Sequence, residues 1–463
     1  MIVAKFGGSS LATAEQFRKV ISIIRSNPDR RIIVVSAPGK RTQSKREKKI
    51  TDLLKEVARH FSATGEPGPA LEQIIKRYDD IRRGLKLDPA MTAAIAADLR
   101  ARIAARYASD ALREESLKAA GEDNNARLMA AALTANGVPA EYISPLEAGL
   151  VVDGEPGNAI VCLDAYKNLR KLRNRKRVVV FPGFFGYALQ RCGSEERKVI
   201  LTFPRGGSDI TGSIVARAVK ADLYENWTDV DYVAAADPRI VKNACPILEL
   251  TYREMRELAY TGFSVFNDEA LAPVQEVGIP VRICNTNNPS APGTRIVARR
   301  DSSPDVVVGV AAAKPFCTII VSKYLLNRER GIGRRLLEII EEAGLSWEHM
   351  PTGIDDISVV LREETFPRSL ERELVPQIRE RLGTRDVRVE RGMALVMIVG
   401  EGMKHTYGVT CRASSALAAE KINIEMINQG SSEISVVFGV RKERMEDAVR
   451  ALYREFFTKP CPK

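Results

Sequence analysis

From residue 1 to about residue 300, short apolar segments alternate with segments of helical periodicity. This alternation is typical of a mainly parallel sheet covered by helices on both faces. The region from about 66 to 120 is rich in alanine and arginine without glycine clusters, which predicts helices. The segments that we interpret as strands are "MIVAKF" (1–6), "RIIVVSA" (31–37), "RVVVFPG" (177–183), "KVILTFP" (198–204) and "IPVRICN" (279–285).

The chain beyond residue 305 contains an internal repeat with an offset of 77 residues, from Ala343 to Glu420. "AGLSWEHMPTGIDDISVVL" in the first copy matches "EKINIEMINQGSSEISVVF" in the second. Each copy follows a helical segment and has the pattern of a strand, a turn and another strand. We therefore expect an α/β fold followed by two small α+β units that sense a ligand or mediate assembly. The predicted domains are 1–300, 306–385 and 386–463.

Composition narrows the class of protein. The chain has 463 residues, of which 45% are hydrophobic and 28% charged, as in soluble proteins of two or three domains. Lys5 interrupts the first apolar run, so no signal peptide is expected, and the apolar stretch 178–189 is too short to span a membrane. Seven cysteines without a C-x-x-C pair argue against a disulfide framework, and three separated histidines against a resident metal. These features favour a cytoplasmic protein that is not bound to a membrane.

The net charge of +11 comes partly from two basic segments, 39–49 and 170–177. Neither contains the interleaved aromatic residues that favour stacking on bases, so nucleic-acid binding is disfavoured. An anionic small substrate or solvated loops explain the charge equally well.

The stretch "AKFGGSS" (4–10) follows the first apolar segment directly. A glycine pair after a strand lets the backbone turn sharply and brings its N–H groups close to a ligand. Thr13 and Gln16 form a capping-box pattern ahead of a helix, whose N-terminus is suited to an anion. A plain strand-to-helix turn with a solvent-facing Lys5 is the alternative.

Two later glycine-rich stretches, "FPGFFG" (181–186) and "FPRGGSDITG" (203–212), also end apolar segments. Ligands of open parallel sheets bind at the carboxyl ends of the strands. Arg205 can hold a carboxylate in a two-pronged contact, and Asp209 can orient a substrate group or a metal-bridged phosphate. Ser208 and Thr211 are expected to cap the helix that follows.

"AAGEDNNARL" (119–128) is predicted to start a helix with Glu122 in its first turn, where the carboxylate either caps the helix or binds an ammonium group. In "NWTDVDYVAAADPRIV" (226–241), polar residues beside Trp227 and Tyr232 suit a nucleoside, and Arg239 with Lys242 suits its phosphates. The glycine patterns of P-loop enzymes and of dinucleotide-binding oxidoreductases are incomplete here, which disfavours both classes.

Taken in order, "KFGGSS", "GED", "PGFFG", "PRGGSD", "WTDVD" and "ADPRIV", followed by the repeat, resemble the aspartate kinases over essentially the whole chain. The resemblance implies the amino acid kinase fold and two C-terminal ACT-type domains. It also implies ATP-dependent phosphorylation of the side-chain carboxylate of L-aspartate to 4-phospho-L-aspartate, with Mg²⁺ bound to the nucleotide. This reaction opens the route to lysine, threonine and methionine.

The resemblance also implies roles for individual residues. Lys5 would neutralise charge on the transferred phosphoryl group, and Asp209 would organise this lysine and the Mg²⁺–phosphate assembly. Aspartate would be bound by Ser36, Thr51, Glu122, Phe184, Arg205 and Ser208, with Arg205 on the α-carboxylate and Glu122 on the ammonium group. ATP would be bound by Lys5, Gly7, Gly8, Ser9, Thr228, Asp229, Asp237, Arg239 and Lys242.

The sequence departs from the usual family pattern at three positions. Ser264 stands where a phosphate-binding lysine is common, Asn267 where a histidine is common, and Ala234 where an aromatic residue is frequent. These departures affect the expected ATP contacts rather than the reaction. Two alternatives stay open: a kinase of the same superfamily that acts on glutamate, N-acetylglutamate or a nucleotide, and a non-catalytic amino-acid sensor.

The repeated C-terminal units are expected to carry feedback regulation. Gly331 and Ile332 begin a predicted helix whose N–H groups could bind the α-carboxylate of an amino acid, while Glu348 could bind its ammonium group. The hypothesis is that lysine, alone or with threonine, binds there. Two such units also suggest a homodimer or a higher homo-oligomer.

Overall fold

The structure, a computed structural model, describes residues 1–42, 44, 46–192, 195–262, 266, 269–301 and 305–457. For residues 191, 192, 195 and 196 it describes the backbone alone.

The elements are numbered along the chain. The helices are α1 (Ala14–Arg25), α2 (Ile50–Thr64), α3 (Ala70–Gly84), α4 (Ala90–Ala104), α5 (Asp110–Ala135), α6 (Pro145–Ala148), α7 (Leu163–Leu169), α8 (Gly207–Val219), α9 (Tyr252–Tyr260), α10 (Ala272–Gln275), α11 (Ile332–Glu342), α12 (Arg368–Leu382), α13 (Val409–Ala419) and α14 (Met445–Phe456). The first strands are β1 (Ile2–Phe6), β2 (Arg30–Val35), β3 (Ala140–Tyr142), β4 (Val152–Glu155), β5 (Asn158–Val161), β6 (Val178–Pro182), β7 (Phe185–Cys192), β8 (Glu195–Thr202), β9 (Leu223–Thr228) and β10 (Val233–Ala234). The remaining strands are β11 (Pro246–Ile247), β12 (Glu249–Thr251), β13 (Val281–Asn285), β14 (Thr294–Val297), β15 (Gly309–Ser322), β16 (Asp356–Arg362), β17 (Asp386–Val399), β18 (Met426–Asn428) and β19 (Ser435–Arg441).

The chain separates into two compact bodies, which we describe one at a time. The first contains Met1–Val233, Leu248–Met255 and Ser264–Arg300, and the second contains Ala234–Ile247, Arg256–Phe263 and Asp301–Lys463. The domain boundaries expected from the sequence stay a prediction. None of the helices in the described part of the chain combines the length and the apolar composition needed to cross a membrane.

An eight-stranded sheet of order β12-β14-β13-β9-β1-β2-β6-β3 lies in the first body. Its central pairs are parallel, whereas β13 and β14 pair antiparallel. The predicted mainly parallel sheet is therefore confirmed. The segment "KVILTFP" does not belong to this sheet, which corrects the expectation from its sequence. It belongs to β8, which forms a separate antiparallel hairpin with β7, because glycine and polar residues at 193–194 join the two segments closely in sequence.

Apolar periodicity explains how the helices cover this sheet. In α1 the buried residues Phe17, Val20, Ile21 and Ile24 recur at intervals of three and four, so they form one face of the helix. The N-cap of α1 is Thr13, whose hydroxyl accepts from the Gln16 N–H at 3.3 Å. The second hydrogen bond of the predicted capping box, from the Thr13 N–H to the Gln16 side chain, is not formed among the described residues. The Gln16 side chain donates to Asn287 instead.

In the second body, a five-stranded antiparallel sheet has the order β16-β15-β17-β19-β18. Residues 309–313 of β15 pair with the C-terminal half of β17, and residues 316–322 pair with its N-terminal half and with β16. The two copies of the repeat are alike but differ in register: the Glu348 N–H bonds to Val360, whereas the Glu425 N–H bonds to Gly439. The predicted helix–strand–strand pattern is present in the second copy as α13, β18 and β19. In the first copy α11 is followed by isolated bridges at His349 and Thr352 and by the single strand β16, so the first predicted strand is wrong there.

Candidate functional site

Lys5 lies on the central strand β1, and only 7% of its surface is exposed. Its Nζ is 2.5 Å from Oδ1 of Asp209, a residue in the first turn of α8. The same carboxylate oxygen accepts a hydrogen bond of 2.7 Å from Nδ2 of Asn226. Asn226 is the register partner of Lys5 on β9, so the sheet itself holds the two side chains together. The solvent-facing alternative for Lys5 is therefore wrong.

The glycine turn that follows β1 is tightly packed. The Gly7 N–H donates to the carbonyl of Trp227 at 3.0 Å, which ties the turn to β9. A Cβ on Gly8 would lie 2.9 Å from the Ala37 carbonyl, and the Gly39 N–H donates to the Gly8 carbonyl at 2.8 Å. Only glycine at position 8 lets the turn after β1 lie this close to the turn after β2. The exposed Ser9 then begins a short 3₁₀ turn.

Glu122 occupies the middle of α5 rather than a helix start, which corrects the prediction from "GED". The helix runs through this motif because Gly121 leaves room for Ala37, Leu54 and Ile50 to pack against it. Burial raises the pKa of Glu122 to about 8, partly opposed by backbone hydrogen bonds and by the charge of Lys5. Its Oε2 is buried without a hydrogen-bond partner among the described residues. Such a carboxyl group suits a ligand that brings a cation.

Replacement of Glu122 by glutamine should change how stability depends on pH. In the folded chain the pKa is raised from 4.5 to about 8, so the protonated acid is favoured by folding. The stability that this group contributes is complete below pH 4.5 and is lost as the pH rises through 8. For the full shift this amounts to as much as about 5 kcal/mol.

Urea unfolding of wild type and Glu122→Gln at pH 5, 6, 7 and 8 measures the effect. The variant should gain free energy of unfolding relative to wild type as the pH rises. A constant difference across this range would show that the carboxyl group is ionised throughout.

The loop after β6 and the start of α8 pack against each other. Phe184 has a positive φ of 79°, and its N–H donates to the Thr211 hydroxyl at 2.9 Å. A Cβ on Gly183 would lie 2.7 Å from the Ser208 hydroxyl oxygen. The N-cap of α8 is Gly206 in the left-handed region, without a side-chain cap. Ser208 and Thr211 therefore do not cap the helix as predicted, since both lie inside its first turns.

The other residues expected to bind aspartate lie on nearby elements. Arg205 is exposed, directly before the Gly206 turn. Ser36 follows β2, where its N–H donates to the Phe6 carbonyl at 3.1 Å and its own carbonyl accepts from Asn125 at 2.7 Å. Thr51 is half-buried in the first turn of α2. The segment that follows β2 thus connects α5, through Asn125, with the glycine turn, through the Gly39 N–H.

Thr228 ends β9, and its hydroxyl donates to Asp229 at 3.2 Å. Trp227, which the sequence indicates as a neighbour of a nucleoside site, lies in the core instead. It is 2% exposed, stacks on Phe6 with ring centres 5.8 Å apart and donates its indole N–H to Glu225. Alternation along β9 turns Trp227 into the core.

The remaining candidates for nucleotide binding belong to the second body. Arg239 donates to both carboxylate oxygens of Asp237, at 3.0 Å from Nε to each, and this contact lowers the pKa of Asp237. Lys242 is exposed, and Ala234 is buried. Ser264 and Asn267 lie outside the described residues.

The expected effector residues also lie in the second body. Gly331 is the N-cap of α11 in the left-handed region, with no side-chain cap, and Ile332 is buried beneath it. The Glu348 carboxylate accepts from Nε of Arg362 at 2.7 Å. Glu348 is thus already paired, and an effector ammonium group would share it with this arginine.

Sequence reasoning missed Asn226 and Gly39. Asn226 lies beside Lys5 because the two residues are register partners on β9 and β1. That register cannot be inferred from the sequence of either strand alone. Gly39 lies in "APGK", where a glycine after a strand indicates a turn but not its contact with Gly8. Within the described part of the chain, no group of three or more His, Cys, Asp or Glu side chains could hold a metal ion.

Known protein families and solved structures match this chain. Residues 1–285 match the model of the amino acid kinase family, and residues 396–456 match an ACT domain. Aspartokinase 3 of Bacillus subtilis is 50% identical over 457 residues, which cover 99% of each chain. The crystal structure of Clostridium acetobutylicum aspartate kinase superposes with a TM-score of 0.84 at 37% identity, over 98% of this chain and 100% of that one.

The E. coli aspartokinase III structure in complex with aspartate and ADP has a TM-score of 0.80 at 25% identity, over 99% of this chain and 100% of that one. The chain belongs to the amino acid kinase family. Within that family it is an aspartate kinase with a C-terminal ACT-type regulatory region. The fold and family expected from the sequence motifs are confirmed.

Proposed function

We propose that the first body transfers the γ-phosphoryl group of ATP to the side-chain carboxylate of L-aspartate. The observation that carries the proposal is the buried Lys5–Asp209 pair at the carboxyl end of β1, directly beside the glycine turn. A buried ammonium group next to close-packed backbone N–H groups fits the negative charge of a phosphate.

The chemistry needs little acid–base help from the protein. A carboxylate oxygen of aspartate attacks the γ-phosphorus, the new O–P bond forms, and the bond to the β-phosphate oxygen breaks to release ADP. Because the attacking carboxylate is already ionised near neutral pH, no general base is required. Catalysis then depends on positioning and on charge stabilisation.

The proposed roles follow the geometry. Lys5 stabilises the transferring phosphoryl group, and Gly8 and Ser9 bind phosphate oxygens. Gly7, whose N–H donates to the Trp227 carbonyl, lets the backbone of the turn approach the phosphate. Asp209 fixes the lysine and is the carboxylate closest to it, so it is suited to the Mg²⁺ ion that accompanies ATP. Asn226 holds Asp209 in place through a 2.7 Å hydrogen bond.

The aspartate substrate has two charged groups besides the reacting carboxylate. The Oε2 atom of Glu122, which has no hydrogen-bond partner among the described residues, is suited to its ammonium group, which would favour the ionised form of Glu122. Arg205, directly before the Gly206 turn, is suited to its α-carboxylate. Ser36, Thr51, Phe184 and Ser208 complete the proposed aspartate set, and Thr228, Asp229, Asp237, Arg239 and Lys242 complete the proposed ATP set.

A coupled assay of ADP release with a panel of acceptors tests the function. Aspartate should be phosphorylated, whereas glutamate and N-acetylglutamate should give little turnover. Turnover with N-acetylglutamate instead would identify a different kinase of the superfamily, and no ADP release with any acceptor would favour the non-catalytic sensor.

The second body is proposed to bind a regulatory amino acid, lysine alone or with threonine, at Gly331, Ile332 and Glu348. The uncapped start of α11 offers N–H groups to a carboxylate, and Glu348 is half-buried beside Arg362.

We also propose that the chain forms a homodimer. Large apolar side chains that are exposed in the second body, including Tyr324, Ile354 and Tyr407, are consistent with contact to another copy.

Substitution Glu348→Gln should weaken inhibition by lysine about 5- to 150-fold in concentration, within the range of allosteric coupling energies. The amide keeps the hydrogen bond to Arg362 but loses the charge that an ammonium group needs. Activity is titrated with lysine and threonine, singly and together. Glu425→Gln is the matched control, since Glu425 holds the same place in the second copy of the repeat and pairs with Arg441.

Unchanged lysine sensitivity in Glu348→Gln would remove this residue from the effector site. Wild-type activity that withstands millimolar lysine and threonine would remove both amino acids as effectors.

A further inference from the structure

The segment 234–247, which carries Asp237, Arg239 and Lys242, belongs to the same compact body as the C-terminal region. Its two ends are joined, because the Ala235 N–H donates to the Cys245 carbonyl at 2.8 Å. At its start the Ala235 carbonyl accepts from the Val310 N–H of β15 at 2.7 Å. We call residues 235–245 the Asp237 loop.

The C-terminal helix α14 contacts this loop at two further points. Nε of Arg450 donates to the Ile240 carbonyl at 3.2 Å, and the Tyr453 hydroxyl accepts from the Cys245 N–H at 2.9 Å. More than 200 residues of sequence separate the partners in each contact. Both contacts reach the backbone of the loop, so they constrain its path whatever side chains it carries.

The two side chains are held in place by their own helix. Arg450 also binds Asp447 and Glu446, at 3.2 and 2.9 Å, which directs its guanidinium group. Tyr453 stacks on Phe457 with ring centres 4.9 Å apart. The buried residues Ala448, Val449 and Leu452 anchor α14 in the body. The position of α14 is therefore fixed, and so are the positions from which Arg450 and Tyr453 reach the loop.

The two ends of the loop are firmly held, because Ala235, Ala236 and Ala244 are buried and Cys245 is part of a disulfide. A cleft of about 500 Å³ lies between the loop and α14, with Ile240, Val241 and Lys242 on one side and Arg450, Tyr453 and Arg454 on the other. Beside this cleft, the bond from Arg450 to the Ile240 carbonyl holds the middle of the loop, whereas the bond from the Cys245 N–H to Tyr453 adds to the disulfide at its end. Loss of the Arg450 bond would let the middle of the loop move, and Asp237 and Arg239 lie directly before Ile240.

We propose that Arg450 and Tyr453 are positioning residues for ATP: they hold the Asp237 loop in the conformation that receives the nucleotide. The inference rests on the proposed assignment of Asp237 and Arg239 to ATP. It extends that assignment by giving the C-terminal helix of the regulatory region a part in nucleotide affinity when no effector is bound.

The test is steady-state kinetics of full-length Arg450→Ala and Tyr453→Phe without effector. Loss of the Arg450 bond should raise the KM for ATP about 3- to 10-fold. Loss of the Tyr453 bond should raise it by less, because a disulfide also holds Cys245. The KM for aspartate and kcat at saturating ATP should stay within about 2-fold of wild type, a division that general destabilisation does not produce. Arg450→Lys keeps a donor and should recover part of the ATP affinity.

Arg454→Ala is the matched control. Arg454 lies on the same helix and binds Glu420, and the hydrogen bonds described for it do not reach the loop. It should leave all three constants unchanged, and its thermal midpoint reports the general cost of losing an arginine from α14.

Two reference variants, Asp237→Asn and Arg239→Ala, separate the possible failures. If these raise the KM for ATP while Arg450→Ala and Tyr453→Phe do not, the positioning role is wrong and the nucleotide assignment stands. If none of the four changes the KM for ATP, both are wrong. A parallel rise in the two KM values, or the same effect from Arg454→Ala, would overturn the positioning role as well.

Discussion

Substitution Lys5→Met should lower kcat by about 100-fold or more, while the KM values for ATP and aspartate change little. The reason is that Lys5 is buried on β1, where its ammonium group acts with little screening by water. Such a charge stabilises the transferring phosphoryl group more than the bound ground state. Methionine keeps most of the volume of the lysine stem, so packing around β1 is preserved.

The variant leaves Asp209 without its cation, but the carboxylate retains the hydrogen bond from Asn226. A second variant, Lys5→Met with Asp209→Asn, removes the uncompensated charge and tests whether lost stability explains the kinetics. Lys19→Met is the control for loss of a paired lysine, since Lys19 binds Glu15 on the surface of α1. Near-normal turnover of Lys5→Met would return this lysine to a purely structural role.

The position of Lys5 could be predicted because two local signals agree. An apolar segment followed by a glycine pair indicates a strand and a turn, and a lysine at the end of that strand is carried to the carboxyl edge of a parallel sheet. The same reasoning placed Asp209 at the next glycine-rich turn. Local patterns alone do not predict that the two side chains meet, and only the family resemblance implied it. Their contact at 2.5 Å depends on the order of β1, β9 and α8 in space.

Glu122 shows where local signals fail. Its glycine and acidic neighbours have the composition of a helix start, yet α5 continues through them from Asp110 to Ala135. Tertiary packing decides here, because Gly121 allows Ala37 to approach the helix at a place where a larger residue would not fit. Trp227 failed for a related reason: it lies beside polar residues in sequence, but alternation along β9 directs it into the core. The register of neighbouring elements cannot be inferred from one segment at a time.

The largest change in substrate affinity is expected from Arg205→Ala. If the guanidinium group binds the α-carboxylate of aspartate through two hydrogen bonds, its loss should cost about 2–3 kcal/mol, or roughly a 30- to 150-fold rise in the KM for aspartate. The KM for ATP should stay near the wild-type value. Arg205→Lys keeps the charge but not the planar pair of donors, so it should fall between the two.

A ligand that lacks the α-carboxylate determines whether Arg205 contacts that group or acts through the Gly206 turn. 3-Aminopropanoate keeps the ammonium group and the reacting carboxylate of aspartate, and its inhibition constant against aspartate can be measured in both proteins. If the contact is direct, Arg205→Ala should weaken aspartate strongly and 3-aminopropanoate by less than about 3-fold, because the analogue has nothing for the arginine to bind. Equal losses for both ligands would mean that the substitution disturbs the start of α8, with Ser208 and Asp209 in its first turn, and that the α-carboxylate is bound elsewhere.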